Sequence, residues 1–234
     1  LDENNIPWVG IDRLDGKDLL RSFHHFYTAL DDCDIVVHLA ATARIPPSWE
    51  RADYYTHNNV VVTQRVAEAC ATRGKYLIFA SSSSVYGNGD GPLNPYSWSK
   101  QAGEQCIKMY GRTKDLNYTI ARLFTNYGED DDSGLVIGKW LKLVKQGLPV
   151  TIRSSGNQAR DFIHVSDTAL ALKAICDSKP NQEILDIGTG SAISLNDIAG
   201  ILGAKRIYEP ELDGYAVITK ANAYNTQKYI KWWP

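Results

Sequence analysis

Tyr96 and Lys100 stand four residues apart in the stretch NPYSWSK, residues 94–100. Four residues are about one helical turn, so a helix would place both side chains on one face. A phenol is a poor base at neutral pH, but a nearby ammonium favours the phenolate and lowers the pKa of a tyrosine. The spacing therefore predicts a tyrosine that can take and return a proton. The same spacing also occurs on ordinary helix surfaces, so the prediction needs support from neighbouring elements.

A run of serines supplies that support. Ser81 to Ser84 follow the apolar run KYLIFA, residues 75–80, which has the pattern of a buried strand. Ser82 could hydrogen-bond a substrate oxygen while Tyr96 moves its proton. Hydride transfer to a nicotinamide requires such a relay, because oxidising an alcohol removes both a hydride and a proton.

The elements that must position these groups alternate along the chain. Buried strands are predicted at 34–41, 75–84 and 117–124, and helices at 58–74, which ends at Gly74, and at 97–114. The second half is less regular, with helices predicted at 135–146 and 165–178 and a short strand at 150–152. This order indicates βαβ units, an α/β fold with a doubly wound parallel sheet, and a smaller C-terminal lobe.

Composition limits the function classes. The chain has 234 residues, is 44% hydrophobic and carries a net charge of -2 with no basic block, which argues against nucleic acid as a partner. No apolar run approaches the ~18 residues of a membrane span, and LDENNIPWVG does not resemble a signal peptide, so a cytoplasmic protein without a membrane partner is expected. The four cysteines are scattered without metal-ligand spacing, so no metal site is predicted.

Several motifs in sequence order resemble one known family. They are DIVVHLAA at 34–41, YYTHNNVVVT at 54–63, FASSSSVYG at 79–87, NPYSWSKQAGE at 94–104, ARLFTNYG at 121–128, GNQARDFIHVSD at 156–167 and LDIGTG at 185–190. The set is similar to the extended short-chain dehydrogenase/reductase family of NAD-dependent nucleotide-sugar epimerases and dehydratases, including UDP-glucose 4-epimerase-like members. The resemblance implies a Rossmann-type NAD-binding domain in residues 1–128 with parts of 150–180. It implies a substrate-binding lobe in 129–149 and 181–234.

The resemblance also implies roles for single residues. Ser82, Tyr96 and Lys100 would be catalytic, with Tyr96 as the acid/base and Lys100 lowering its pKa. The implied NAD contacts, with NADP left open, are Asp12, Leu39, Ala40, Ala41, Ala43, Asn59, Ser81, Tyr96, Lys100 and Phe124. The implied contacts to a nucleotide-sugar substrate are Ser82, Ser83, Tyr96, Thr125 and Arg160. A guanidinium suits a diphosphate, although Arg160 could instead form an internal ion pair with Asp161.

The N-terminal region departs from the family pattern. The family opens with a G-x-x-G-x-x-G turn that holds a pyrophosphate, and IGTGSAISL at 187–195 lacks the third glycine. We therefore expect that roughly thirty or more residues precede Leu1 in the natural protein. WVGI at 8–11 is then interpreted as the third strand, before Asp12 and Asp15, and Asp2 as the acid that binds ribose hydroxyls and favours NAD.

Other departures concern the substrate and the reaction. Thr125 stands where the family usually has an asparagine, and residues 208–217 contain no arginine for a second phosphate contact. The family's 4,6-dehydratases carry Thr-Asp-Glu where this chain has Ser82, Ser83 and Ser84, so elimination of water is disfavoured. The leading hypothesis is nucleotide-sugar 4-epimerisation through a keto-sugar. A reductase, dehydrogenase or dehydratase of the same family, or a non-catalytic dinucleotide-binding relative, stays open, and helices 58–74 and 97–114 are candidates for a homodimer interface.

Overall fold

The computed structural model describes residues 6–129 and 134–234. No helix in these two ranges combines the length and the apolar character that crossing a bilayer requires. The strands are β1 (Ile35–His38), β2 (Tyr76–Ser82), β3 (Tyr118–Leu123), β4 (Thr125–Tyr127), β5 (Val150–Arg153), β6 (Ala159–His164), β7 (Glu183–Ile187), β8 (Ala192–Ser194), β9 (Arg206–Glu209) and β10 (Ile218–Thr219). The helices are α1 (His24–Asp31), α2 (Pro46–Glu50), α3 (Ala52–Tyr55), α4 (Val62–Arg73), α5 (Pro95–Lys114), α6 (Val136–Lys145), α7 (Val165–Ser178), α8 (Leu195–Ile201) and α9 (Ala223–Thr226).

The described residues form two compact units. Unit 1 comprises the chain up to Ser81, Pro95–Ile120 and Lys179–Glu183, and unit 2 comprises Ser82–Asn94, Ala121–Ser178 and Ile184–Pro234. The domain boundaries suggested by the sequence, with a break near residue 128, remain a prediction.

Unit 1 contains β1, β2 up to Ser81, the first three residues of β3 and Glu183 of β7, and the strand order of their sheet is β1-β2-β3-β7. β1 and β2 are parallel, with Val36 opposite Leu77 and Val37 opposite Ile78. The centre of β2 is fully buried, as its continuous apolar run predicts for a strand covered on both faces. The predicted α/β fold with a parallel sheet is confirmed.

Helices α4 and α5 pack closely on this sheet. A Cβ atom on Gly103 of α5 would lie 3.0 Å from the Phe79 ring, so the glycine permits a tight approach to β2. α4 ends as predicted, because Gly74 adopts φ 63 and its N–H caps the carbonyl of Ala71. α5 begins at Pro95, two residues earlier than predicted, and proline is favoured in the first turn of a helix.

The prediction that Trp8–Ile11 forms a strand is wrong. The segment does not form a strand, and two of its side chains are exposed, Trp8 by 56% and Val9 by 63%. Central strands of parallel sheets are buried on both faces, so this exposure removes the burial that would hold the segment in a sheet.

Unit 2 contains shorter strands around a separate core. β6 pairs in parallel with β10 and β4 and antiparallel with β8, while β5 pairs in parallel with β9. Helices α6 and α8 contribute apolar side chains to a cluster over β5 that contains Trp140, Val150, Ile152, Leu195, Ile198 and Ala199.

Candidate active site

Tyr96 lies in the first turn of α5, half-buried in unit 1. Its ring meets the ring of Tyr55 edge to face, with centroids 6.3 Å apart and an interplanar angle of 80°. The hydroxyl of the buried Tyr55 donates to the carbonyls of Ala43 at 2.7 Å and Arg44 at 2.9 Å. Tyr55 thus connects the predicted acid/base to the segment that follows β1, which contains the predicted cofactor contacts.

Lys100 lies one turn after Tyr96 and is only 4% exposed. Its ammonium donates to the carbonyl oxygen of Ala80 at 2.7 Å and lies 4.9 Å from the centre of the Phe79 ring. Burial lowers the pKa of Lys100 to about 8, and the charge of Glu104 opposes this shift. The lysine therefore ties the first turns of α5 to the carboxyl end of β2.

Glu104, which the sequence analysis missed, occupies the next turn of the same helix face. It is fully buried and accepts a hydrogen bond of 2.5 Å from the hydroxyl of Ser81, one of the predicted cofactor contacts. The spacing Tyr96, Lys100, Glu104 repeats the interval of four residues, so the helical periodicity that paired the first two could also have identified the third.

Asn59 lies in a π-helical turn, Thr56–Val61, that precedes α4. Its side chain accepts from the amide of Thr42 at 2.7 Å and donates to the carbonyl of Thr42 at 2.9 Å and to the hydroxyl of Ser99 at 2.9 Å. π-helical turns are frequent at functional sites. In this structure, Asn59 holds the segment after β1 in place.

That segment fits a flat, partly polar ligand such as a dinucleotide. Leu39 is 55% exposed, Ala40 and Ala43 are exposed, and Ala41 is half-buried. Among the residues that the structure describes, the hydroxyl of Thr42 is buried without a hydrogen-bond partner. Small apolar residues beside an unsatisfied hydroxyl are suited to pack against a ring and bind one of its polar groups.

His38, at the end of β1, is a second group that the sequence analysis missed. Its Nε2 atom lies 3.0 Å from the hydroxyl of Thr63, and both residues are buried. Burial, and secondarily the charge of Lys100, lowers the pKa of His38 to about 3. His38 is therefore neutral at physiological pH.

Three of the four serines, Ser82 to Ser84, lie in unit 2, where Ser82 caps a short 3-10 helix, Ser83–Tyr86. The Ser82 oxygen accepts from the amide of Ser84 at 3.2 Å and from its hydroxyl at 2.9 Å. Both lone pairs are thereby used, which leaves the Ser82 proton to donate. Ser82 is half-buried, whereas Ser83 is buried.

The residues after Ser84 are anchored by a polar cluster in unit 2. The hydroxyl of Tyr86 donates to Asp186 at 2.8 Å, and the Arg122 guanidinium lies 4.5 Å from the centre of the Tyr86 ring. Burial and the neighbouring Asp186 raise the pKa of Tyr86 to about 12, so this phenol stays protonated. Tyr86 is therefore a hydrogen-bond donor rather than a base.

The other predicted contacts in unit 2 have different environments. Phe124 is buried and packs closely against Gly188. A Cβ atom on Gly188 would lie 2.9 Å from the Cγ atom of Phe124, so a side chain at this position would clash with the ring. Thr125 is half-buried on β4 opposite Phe162. The structure thus uses Phe124 for packing within unit 2.

Arg160 lies half-buried on β6. Its Nη1 donates to the carbonyls of Ala159 at 2.8 Å and Val217 at 3.1 Å, and burial lowers its pKa. The alternative that Arg160 pairs with Asp161 is wrong, because the Asp161 carboxylate is bound by Thr189, Gly190 and Ala221 instead. Adjacent strand residues point to opposite faces, which separates the two side chains.

The remaining candidates, Asp12 and Asp2, belong to the N-terminal region. Asp12 is exposed, and its carboxylate accepts from the amide of Leu14 at 2.8 Å, capping the 3-10 turn Arg13–Asp15. Asp2 lies outside the described residues.

The structure brings together Tyr96, Lys100, Ser81 and Asn59 within unit 1, and it places Ser82 and Ser83 in one turn of unit 2.

Comparison with known proteins assigns a family. The model of the NAD dependent epimerase/dehydratase family matches residues 2–188. The chain is 31% identical over 218 residues to the UDP-glucuronate 4-epimerase of Thermodesulfobacterium geofontis, covering 85% of this chain and 67% of the relative. It is 34% identical over 190 residues to the putative UDP-glucose 4-epimerase of Methanocaldococcus jannaschii, covering 73% of this chain and 60% of the relative. The chain therefore spans between about three fifths and two thirds of these two relatives.

A solved structure agrees with this assignment. The UDP-glucuronic acid 4-epimerase of Bacillus cereus, in complex with UDP-glucuronic acid and NAD, matches with a TM-score of 0.86 and 29% identity over 93% of this chain and 74% of that one. NAD is the cofactor of the matched family. The chain belongs to the NAD dependent epimerase/dehydratase family.

Proposed function

We propose that the protein epimerises a nucleotide sugar with NAD, at C4 in the first instance, through a transient keto-sugar. The observation that carries the proposal is the attachment of α5 to β2. Lys100 bonds the carbonyl of Ala80 at 2.7 Å, and Tyr96 stands half-buried one turn away on the same helix face. A buried ammonium beside a partly accessible phenol is the arrangement that proton transfer to and from a sugar hydroxyl requires.

In this proposal the residues act as follows. Tyr96 takes the proton from the hydroxyl that is oxidised and returns it when the keto group is reduced on its other face. Lys100 favours the phenolate of Tyr96, and Ser82 donates a hydrogen bond to the same substrate oxygen. When bound, NAD accepts the hydride and gives it back, so the reaction needs no net oxidant.

Epimerisation is favoured over elimination of water by the serine cluster. Elimination needs a general acid and a base, and the family's 4,6-dehydratases carry carboxylates where this chain has Ser83 and Ser84. In this chain the hydroxyl of Ser84 donates a hydrogen bond to the hydroxyl of Ser82, and Ser83 is buried. Serine hydroxyls without an activating base are poor acids and bases, so this turn supports oxidation and reduction without elimination.

The relatives and Arg160 support the proposed substrate class, a nucleotide sugar. UDP-sugars are named in the relatives' activities and in the B. cereus complex. Two Nη1 bonds to carbonyls leave three of the five guanidinium donors of Arg160 for a diphosphate. Replacing Arg160 with Gln should raise KM for the nucleotide sugar more than it lowers kcat, whereas Arg206→Gln, at an exposed position of β9, should change neither.

The proposal is tested by turnover of the purified protein. NAD and a panel of UDP-hexoses and UDP-hexuronates are supplied, and products are identified by NMR. Tyr96→Phe should lower turnover by about 10²–10⁴-fold while NAD binding is retained. Tyr110→Phe, the same change further along α5, is the matched control and should leave turnover near that of the wild type.

Three outcomes would contradict the proposal. Undiminished turnover in Tyr96→Phe would remove Tyr96 as the base. Release of a dehydrated keto-sugar would indicate a dehydratase. A protein that binds NAD but converts no nucleotide sugar would indicate a non-catalytic relative.

We also propose a homodimer formed through the helix pair 58–74 and 97–114. Trp98 and Met109 present large apolar side chains to solvent on α5, with exposures of 49% and 40%. Burying such residues stabilises association. Sedimentation equilibrium should give a dimer that Met109→Glu dissociates, and a monomeric wild type would contradict the proposal.

A further inference from the structure

Three titratable side chains follow one another along a single face of α5. Tyr96 is half-buried, Lys100 is 4% exposed and Glu104 is completely buried. The face therefore runs from a partly accessible phenol to a carboxylate without solvent contact. A carboxylate with no solvent contact is costly unless its charge is compensated, so its presence calls for an explanation.

Two successive residues of β2 are held by two successive turns of this face. The Lys100 ammonium donates to the carbonyl of Ala80 at 2.7 Å, and the Ser81 hydroxyl donates to Glu104 at 2.5 Å. The intervening Gly103 lets the helix approach the strand, as a Cβ atom there would come within 3.0 Å of the Phe79 ring. The geometry thus places a buried cation and a buried anion at neighbouring positions of the same helix–strand contact.

The surrounding titratable groups show what Glu104 contributes. Burial lowers the pKa of Lys100 to about 8, and the charge of Glu104 raises it. His38, on β1, is held neutral at physiological pH by burial and by Lys100, which lower its pKa, so it adds no second positive charge beside the ammonium. Tyr55, on α3, packs against Tyr96, and burial raises the pKa of its phenol, so it is neutral as well. The carboxylate that acts on Lys100 is that of Glu104.

We propose that Glu104 is a positioning residue for proton transfer, serving as the buried counter-ion that keeps the Lys100 ammonium charged beside Tyr96 while it holds Ser81 at the end of β2. The expected effect on turnover rests on the proposed function, whereas the effect of the Glu104 charge on Lys100 does not. A purely structural role, in which Glu104 only accepts from Ser81, would leave the protonation of Lys100 unaffected. The two roles are therefore separable by experiment.

The direct test is the titration of Lys100 in the full-length protein, followed by NMR of its Cε and Hε nuclei and assigned with Lys100→Arg. Glu104→Gln keeps an acceptor for Ser81 and removes the charge. It should shift the Lys100 titration to lower pH by about one unit or more. Glu68→Gln, which removes an exposed carboxylate from α4, is the matched control and should leave the titration unchanged.

Two further variants separate charge from hydrogen bonding. Ser81→Ala removes the hydroxyl and keeps the charge, so the Lys100 titration should stay near that of the wild type. If Glu104→Gln does not fold, the double variant Ser81→Ala/Glu104→Leu removes both partners and leaves neither unsatisfied. It should shift the titration as far as Glu104→Gln would. An unchanged Lys100 titration in either charge-removing variant would overturn the proposal.

Turnover supplies a second readout. Loss of the negative charge disfavours the ammonium, so the alkaline limb of the pH–turnover profile should move to lower pH in Glu104→Gln and stay in place in Glu68→Gln. A shifted Lys100 titration in a protein without epimerase activity would support the counter-ion and reject the proposed function. An active protein whose Lys100 titration ignores Glu104 would reject the counter-ion alone.

Discussion

Glu104 in unit 1 and Asp161 in unit 2 are both completely buried carboxylates, yet their surroundings differ in kind. Glu104 faces a lysine on its own helix and accepts from the Ser81 hydroxyl. Asp161 accepts from the amides of Thr189 at 2.8 Å, Gly190 at 2.8 Å and Ala221 at 3.0 Å, and from the Thr189 hydroxyl at 2.7 Å. One carboxylate is balanced by a titratable cation, and the other is surrounded by donors that are mostly backbone.

This difference separates a functional charge from a structural one. Backbone amides do not change protonation in the physiological range, and their bonds to Asp161 hold the 188–190 turn and Ala221 to β6. The Lys100 ammonium, with a pKa of about 8, can gain or lose its proton near neutrality. Burial alone does not indicate function, whereas the chemistry of the partner does.

The largest expected effect is on Asp161. Asp161→Asn turns one oxygen into an amino group that faces backbone donors, and on the Oδ2 side these are the amides of Gly190 and Ala221. Each unsatisfied buried donor costs about 1–3 kcal/mol, so the free energy of unfolding should fall by about 2–6 kcal/mol in urea titrations. Asp213→Asn, at an exposed position, should stay within about 0.5 kcal/mol of the wild type, and equal midpoints for the two variants would remove the contrast.

Glu104→Gln should cost less and should depend on pH. The Lys100 pKa in the folded protein lies below its ordinary value of 10.5, so the folded state binds fewer protons between about pH 8 and 10.5, and stability rises with pH there. A further decrease of the Lys100 pKa by one unit corresponds to about 1.4 kcal/mol. Glu104→Gln should therefore be about 1 kcal/mol less stable than the wild type at pH 7, with the difference vanishing above about pH 9.

The measurement is urea unfolding at several pH values between 6 and 10 for the wild type, Glu104→Gln and Asp161→Asn. The cost of Asp161→Asn should be constant over this range, because its donors do not titrate. If the two costs follow the same pH dependence, the distinction between the carboxylates fails.

An effect about as large as that of Glu104→Gln should come from His38, the neutral neighbour of Lys100. Its pKa in the folded protein is about 3, lowered from 6.5, so the unfolded state binds more protons between these values and stability is lost as pH falls below 6.5. Between pH 7.5 and pH 5.5, this titration should lower the free energy of unfolding of the wild type by about 1 kcal/mol. His38→Gln should not show this loss. His57→Gln, at an exposed histidine, is the control, and a wild-type slope retained in His38→Gln would show that another group causes it.

Local patterns predicted much of the fold correctly. α4 ends at Gly74 as predicted, because a glycine adopts the left-handed conformation of the cap without strain. α5 starts at Pro95, two residues before its predicted start, because the proline ring presets the first helical φ. The prediction for Trp8–Ile11 failed because four residues with a strand-like composition form a strand only when neighbours pair with them and bury them. In the described structure the side chains of Trp8 and Val9 are exposed.

The candidate site likewise combines a feature that helical spacing predicts with features that only packing produces. The interval between Tyr96 and Lys100 determined that both lie on one helix face, because helical geometry is local. The sequence also carried Glu104 at the next interval, but its burial and its bond to Ser81, 23 residues away, came only from packing α5 on β2.

The amino-acid sequence by itself thus determined the order of strands and helices, the family motifs and the shared face of Tyr96 and Lys100, all of which depend on residues near one another in the chain. Only the tertiary structure decided that Asp161 is bound by residues 28 to 60 positions away rather than by Arg160. It also decided that Asn59 braces Thr42, 17 residues earlier. Hydrogen-bond partners of buried polar groups are selected by three-dimensional proximity and desolvation, and neither quantity is encoded in local spacing.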